Sequence, residues 1–140
     1  MTTLEKATKL HKSVNTFILS SVSEDGFPLT KAVVPGKLRE SLNEMYFCTN
    51  TSSQFARAVV SNEKACVYFY SRGFIWKGCY LKGKMEIVTD VNLKQKYWQS
   101  KFKNAYKEKS FTDPDFCLLK FTPITGRFYS WFKPKDFEIN

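Results

Sequence analysis

A mainly β fold, antiparallel and closed into a barrel with peripheral helices, is what this sequence predicts on three observations. Six or seven strand-like segments and two or three helical ones do not alternate regularly, as they would in a doubly wound sheet. The tight turn Glu24-Asp25-Gly26-Phe27-Pro28 separates two strand-like segments and marks a β-hairpin. Aromatic residues make up 16% of the chain, a share that favours strands with large buried side chains.

Taken in order, the chain opens with a helix over about Thr3 to Lys12, whose Leu4, Ala7 and Leu10 make one narrow apolar stripe. Asn15 to Val22 and Leu29 to Val34 form the hairpin, with Gly26 free to take positive φ and Pro28 where the second strand starts. A polar loop over Pro35 to Asn43 leads to the strand Met45 to Thr49. The turn-forming run Asn50 to Ser53 then opens a short helix, Ser52 to Ser61, with Phe55, Ala56, Val59 and Val60 at helical spacing and Asn62 as its stop. Ala65 to Tyr70 is a continuous apolar run, expected to be buried on both faces. Phe74 to Val88 alternates cleanly, with Cys79, Leu81, Gly83, Met85 and Ile87 on one face and Tyr80, Lys82, Lys84 and Glu86 on the other. Gly83 in mid-strand predicts a bend or a close backbone approach. Asp90 caps a helix that presents Leu93, Tyr97, Trp98 and Phe102 on one face. Two final strands, Phe116 to Phe121 and Gly126 to Phe132, are joined by the turn Thr122-Pro123-Ile124-Thr125-Gly126.

The 140 residues suit one domain spanning 1–140, enough to bury roughly two-thirds of the unfolded surface. No apolar run is long enough for a membrane helix, and Met1 to Lys12 mixes charges with apolar positions instead of forming a signal core. The expectation is a cytoplasmic protein. Its net charge of +9 is spread along the chain without a block of basic residues like those of nucleic-acid tails; such a diffuse field reads first as a solvated surface, and can also steer a phosphorylated ligand. Cys48, Cys66, Cys79 and Cys117 each fall inside an expected strand with no C-x-x-C spacing, and His11 is the one histidine. We therefore expect no metal site and four buried free thiols, with His11 on a helix flank beside Leu4, Ala7, Leu10 and Val14.

Glycine-loop, dinucleotide and nucleophile-elbow motifs are missing, and the carboxylate pairs Glu24/Asp25 and Asp113/Asp115 lie in turns. If the protein is an enzyme, a cofactor supplies the chemistry. The most informative stretch is Glu44 to Phe55, where a strand runs through a polar turn into a helix. A helix N-terminus presents unpaired N–H groups and the positive end of a dipole, and Thr51, Ser52 and Ser53 add hydroxyls there, which suits a phosphate. The plainer alternative is that Ser52 simply caps the helix and nothing binds.

Several segments appear in a telling order: Asp25-Gly26-Phe27-Pro28, Tyr46-Phe47-Cys48-Thr49, Ser53 before a helix, Val67-Tyr68-Phe69-Tyr70, Lys82-Gly83-Lys84, and Trp98 on a helix. This order resembles the pyridoxamine 5′-phosphate oxidase-like FMN-binding split barrels, most of all their general stress protein branch. The resemblance implies a six-stranded antiparallel split β-barrel and a homodimer with an FMN in each cleft between subunits. It places Lys31 at the phosphate, the backbone of Ala32, Val33 and Val34 beside the flavin ring, and Cys48, Thr49, Ser52 and Ser53 at the strand end and helix start. Gln54 and Phe55 stand where the family often carries Arg or Lys followed by Lys, which removes a cationic phosphate ligand. Trp76, Lys77 and Gly78 would come from the partner subunit, with Trp131 as an aromatic from the final strand. The implied activity is FMN-dependent two-electron transfer with a small organic substrate. Two alternatives stand beside it: a non-catalytic binder of flavin, haem or another phosphorylated ligand, and a nucleic-acid-binding barrel using Tyr80, Tyr129 and Trp131 beside Lys82, Lys84 and Arg127.

Overall fold

The computed structural model describes residues 1–34, 36, 39 and 41–139; Pro35, Lys37, Leu38 and Glu40 of the expected 35–43 loop lie outside the described residues. The elements in chain order are α1 (Thr3–Ser13), β1 (Phe17–Val22), β2 (Pro28–Val33), β3 (Met45–Asn50), α2 (Gln54–Ser61), β4 (Lys64–Arg72), β5 (Trp76–Val88), α3 (Val91–Tyr97), a 3-10 turn (Ser100–Ala105), β6 (Phe116–Ser130) and β7 (Lys133–Glu138). The strands form one antiparallel sheet in the order β2-β1-β4-β5-β6-β3, with β7 pairing to β6. β6 changes partner along its length: residues 116–121 pair with β3, and residues 125–130 pair with β7. The inward faces converge on Phe17, Leu19, Phe47, Val67, Phe69, Leu81, Met85, Leu119 and Phe121, all essentially buried. The sheet is thus a split barrel whose two end strands, β2 and β3, share no backbone ladder.

Local chemistry explains most elements. In the hairpin, Gly26 takes φ +86, while the Asp25 carboxylate accepts from the Phe27 amide at 3.1 Å and from the Ser23 hydroxyl. β5 alternates as expected, and its register shifts between Lys82 and Gly83. A Cβ on Gly83 would lie 2.2 Å from the Thr122 carbonyl oxygen, so only glycine lets the two strands approach here.

The same bulge corrects the expected turn over Thr122 to Gly126. Gly83 pairs with Pro123 and Lys82 with Thr125, so Ile124 is the extra residue and β6 runs unbroken for 15 residues. Pro123 is tolerated because a bulge relieves it of a ladder hydrogen bond. The last expected strand ends at Ser130 rather than Phe132, because Trp131 adopts φ 56 and turns the chain into β7. β7 was not expected: Lys133-Pro134-Lys135-Asp136-Phe137-Glu138 lacks strand bias, and it is held by half-buried Phe137 and a bidentate Arg127–Asp136 pair at 2.6 and 3.1 Å.

β4 also departs from expectation. Ala65, Val67 and Phe69 point inward, whereas Tyr68 is half-buried and Tyr70 is exposed, so only one face is covered. The helix after Asp90 is shorter than its apolar spacing suggests. The Asp90 carboxylate accepts from the Asn92 and Leu93 amides, but α3 ends at Tyr97 and Trp98 leaves helical geometry. Trp98, Phe102, Tyr106 and Phe116 then pack ring against ring, which stabilises the break. Of the four free cysteines, Cys79 and Cys117 are buried, while Cys48 and Cys66 are half-buried. His11 lies in the core, 2% exposed between Phe17 and Phe69, rather than on a helix flank. Among the described residues no helix is long and apolar enough to cross a membrane.

Candidate functional site

The two unpaired barrel edges meet at a polar contact. Lys31 on β2 shares the inward-leaning side of its strand with Leu29 and Val33, which pack on the core. Its Nζ donates to Thr49 Oγ1 on β3 at 2.9 Å, so one side chain bridges the split that no backbone ladder closes. Thr49 Oγ1 lies 3.4 Å from Ser53 Oγ, to which it donates, and Ser53 Oγ accepts from the Ala56 amide at 3.1 Å. Ser53, not Ser52, is therefore the cap of α2. The Lys31 ammonium sits 5.7 Å from the Phe55 ring centroid, and partial burial moves its pKa below the usual lysine value. Among the described residues no carboxylate pairs with it. A half-buried ammonium whose polar partner is a hydroxyl, beside a helix N-terminus, is a favourable place for an anion.

The turn between β3 and α2 is held from behind by Asp115. Its carboxylate accepts from the Ser52 amide at 2.9 Å and from Asn50 Nδ2 at 2.7 Å, and its backbone carbonyl accepts from the Thr51 amide at 2.8 Å. These hydrogen bonds, that from Asn50 foremost, hold the Asp115 carboxyl below the usual carboxylate range. The clamp turns Ser52 to Asp115, and Cys48 points to the far side of β3, where its thiol faces the Tyr97 carbonyl at 3.9 Å. Burial pushes the Cys48 thiol up to about 12, which keeps it protonated. Ser52 and Cys48 thus stand beside the Lys31–Thr49–Ser53 group without joining it.

Gln54 is exposed, whereas Phe55 is 2% exposed and belongs to the core, so these adjacent positions do different work. Phe55 supports Lys31 from below. Sequence reasoning missed Arg57, which lies one helical turn after Ser53 and whose Nη1 donates to the Ser52 carbonyl at 2.8 Å. It lines a shallow cavity of about 400 Å³ with Gln54 and the hairpin residues Asp25 and Leu29. The i, i+4 spacing from Ser53 was the available signal. On β2, Ala32 is exposed and Val33 half-buried, Val34 just past its end is exposed, and the outer backbone edge of β2 has no strand partner among the described residues.

Trp76, Gly78 and Trp131 lie elsewhere. Thr49 pairs with Cys117 near the start of β6, while Trp131 follows its end, so the two groups occupy opposite ends of the longest strand. The Trp131 amide donates to the Trp76 carbonyl at 2.8 Å, and Trp76 stacks on Tyr70 with centroids 5.1 Å apart. Tyr68, Trp76, Tyr129, Trp131 and Phe132 line an apolar hollow of about 530 Å³. Lys77, the strand neighbour of Trp76, points to the opposite face and lines a different cavity under α1. Within one protomer the chain therefore brings together Lys31, Thr49 and Ser53, and separately Trp76, Gly78 and Trp131.

The family described as pyridoxamine 5′-phosphate oxidase matches residues 3–130. A solved protein from Clostridium acetobutylicum, related to general stress protein 26 of B. subtilis and assigned to the pyridoxinephosphate oxidase family, is 29% identical. The match covers 97% of this chain and 94% of that one, with a TM-score of 0.83. A haem-binding protein from Mycobacterium smegmatis shares the fold at 14% identity and TM-score 0.78, over 99% of this chain and 58% of that one. A pyridoxamine 5′-phosphate oxidase-related, FMN-binding protein from Nostoc punctiforme shares it at 15% identity and TM-score 0.71, over 97% and 94%. No curated protein matches the chain.

Proposed function

The chain belongs to the pyridoxamine 5′-phosphate oxidase family, and from that premise we propose that it is an FMN-binding flavoprotein, an oxidoreductase acting on a small organic substrate. The observation that carries the proposal is the Lys31–Thr49–Ser53 constellation at the N-terminus of α2. The residues fit a phosphate: an ammonium with no carboxylate partner among the described residues, two hydroxyls, and the first-turn amides of the helix. Lys31 and Ser53 anchor the phosphate. Arg57, one turn into α2, brings the cation that Gln54 and Phe55 do not. The free edge of β2 at Ala32 and Val33, with Val34 just past its end, offers backbone donors and acceptors to the ring. Bound flavin would supply two-electron chemistry, and the protein would position it and exclude water.

In this reading the protein works as a homodimer in the cytoplasm. The exposed aromatic end of one protomer, with Trp76, Gly78 and Trp131, covers the ring held by its partner's phosphate site. Trp131 at 53%, Phe132 at 92% and Phe74 at 97% exposure form an apolar surface of the kind that protein contacts cover. Lys77 is left out of this group because it faces the other way.

The test is the absorbance spectrum of purified protein before and after excess FMN and desalting. Retention of about one flavin per chain, weakened by Lys31→Ala, Ser53→Ala and Arg57→Ala, supports the reading; no retention overturns it. A non-catalytic binder is the second reading, favoured by the buried Phe55 at the usual cation position. In a haem version of it, the group would be held by residues other than His11, whose ring packs against Phe17 and Phe69 in the core. The nucleic-acid reading loses ground because two of its cations are paired, Arg127 with Asp136 and Lys84 with Glu63.

A further inference from the structure

The inward face of the barrel ends, under α1, in a polar row. Ser71 pairs with Lys77 across β4 and β5, and Lys77 pairs with Ser130 across β5 and β6, so the three side chains stand abreast on one face. Two residues further along, the same face carries Phe69, Cys79 and Phe128, all buried in the core. Strand alternation therefore makes Lys77 the last member of a series whose other members, Cys79, Leu81, Gly83 and Met85, face the interior. At the barrel mouth the core-facing series thus ends on an exposed cation.

Helix α1 lies across this row and adds Lys6 and Lys9 to the same cavity, whose volume is about 390 Å³. Buried Leu10 and Phe128 make its floor. Three lysines thus surround one space that no carboxylate lines, and none of the three takes part in an ion pair among the described residues. Among the described residues nothing negative lines the space to neutralise these three charges, so an anion entering it meets ammonium groups and hydroxyl donors together. The hydroxyls of Ser71 and Ser130 add donors on the sheet side of the same space.

We propose that this cavity binds a small amphiphilic anion, an organic molecule carrying a phosphate or carboxylate group on a short apolar body. The head lies among Lys6, Lys9 and Lys77, and the body rests on Leu10 and Phe128. The site is independent of the phosphate site at Lys31: it lies on the face of β5 opposite Trp76 and Gly78 and is built from different elements. Its existence does not depend on flavin binding.

The experiment is a titration of the protein, as purified and after FMN loading, with hexyl phosphate and with hexanoate, followed by amide NMR shifts and calorimetry. Hexanol and inorganic phosphate test the two halves of the ligand separately. We expect at least one of the two amphiphilic anions to shift the amides of Lys6, Leu10, Ser71, Lys77 and Ser130 in both preparations, more tightly than hexanol or phosphate alone. Whichever binds more tightly names the head group. Lys77→Met, which keeps the aliphatic stem, should weaken binding by about tenfold, the lower end for loss of a charge-assisted contact. The double variant Lys6→Gln/Lys9→Gln, on an exposed helix face, should weaken it as well, and added salt should do so progressively. Shifts confined to residues outside the cavity, affinity unchanged in both variants, or no binding of either anion at millimolar concentration would overturn the proposal.

Discussion

His11 gives the protein a stability that depends on pH in a predictable direction. Its ring is 2% exposed, its centroid lies 5.5 Å from that of Phe17 and 5.9 Å from that of Phe69, and its Nδ1 is buried without a hydrogen-bond partner among the described residues. Two cations face it: Arg39, whose Nη1 donates to the His11 carbonyl at 3.1 Å, and its helical neighbour Lys12. Burial first, then the charges of Arg39 and Lys12, lower its pKa from 6.5 to about 4. In the unfolded chain the same imidazole takes up a proton as the pH falls through 6.5. Between pH 6.5 and 4 the unfolded state therefore binds a proton that the folded state refuses, and stability falls as the pH falls. The contribution is fully present above about pH 7 and fully lost below pH 4, where both states are protonated. At 1.36 kcal/mol per pKa unit, the drop from 6.5 to about 4 corresponds to about 3 kcal/mol, a large fraction of a typical domain's stability. Urea unfolding followed by tryptophan fluorescence at fixed protein concentration, from pH 7.5 to 4.5, measures it against a His11→Leu variant. The wild type should lose about 2–3 kcal/mol more than the variant over that range. Asp25, Asp115 and Asp136, whose carboxyls all sit below the usual range, lose stabilising contacts in acid too, but equally in both proteins. Parallel pH profiles would refute a buried, neutral His11.

Other expectations follow from single contacts. Gly83→Ala places a methyl 2.2 Å from the Thr122 carbonyl oxygen, so β5 and β6 must separate at the bulge; a destabilisation of about 3 kcal/mol or more should appear in thermal unfolding. Gln54→Arg, at an exposed position beside the Ser53 cap, should tighten FMN about tenfold in an equilibrium titration. Phe55→Lys should instead lower the melting temperature, because it buries a second ammonium next to Lys31. Asp115→Asn removes the charged acceptor of the Ser52 amide and Asn50, so hydrogen exchange across Thr51–Ser53 should speed up and FMN retention should fall.

Features set by near neighbours in the chain were legible without coordinates. The α1 stripe, the Gly26 hairpin, the alternation of β5 and the β3–turn–α2 junction are written in spacing and turn chemistry, and the need for glycine at position 83 could be read from its place in mid-strand. The Lys31, Thr49 and Ser53 grouping was reached through family resemblance rather than local pattern, because two of its members sit on strands at opposite ends of the sheet order. Only tertiary structure decided the rest. Thr122 to Gly126 has turn composition, yet β5 supplies a ladder that absorbs the irregularity as a bulge, so β6 continues through it. β7 forms against all propensity because β6 presents it an open edge once β3 has ended. His11 satisfies a helix flank and a helix core equally well until Phe17 and Phe69, from β1 and β4, close over it. Lys77 is one residue from Trp76, and the strand pleat sends the two to opposite faces and to different sites. In each case a residue's local preference is worth a fraction of a kcal/mol, while burial against, or pairing with, a distant strand is worth more.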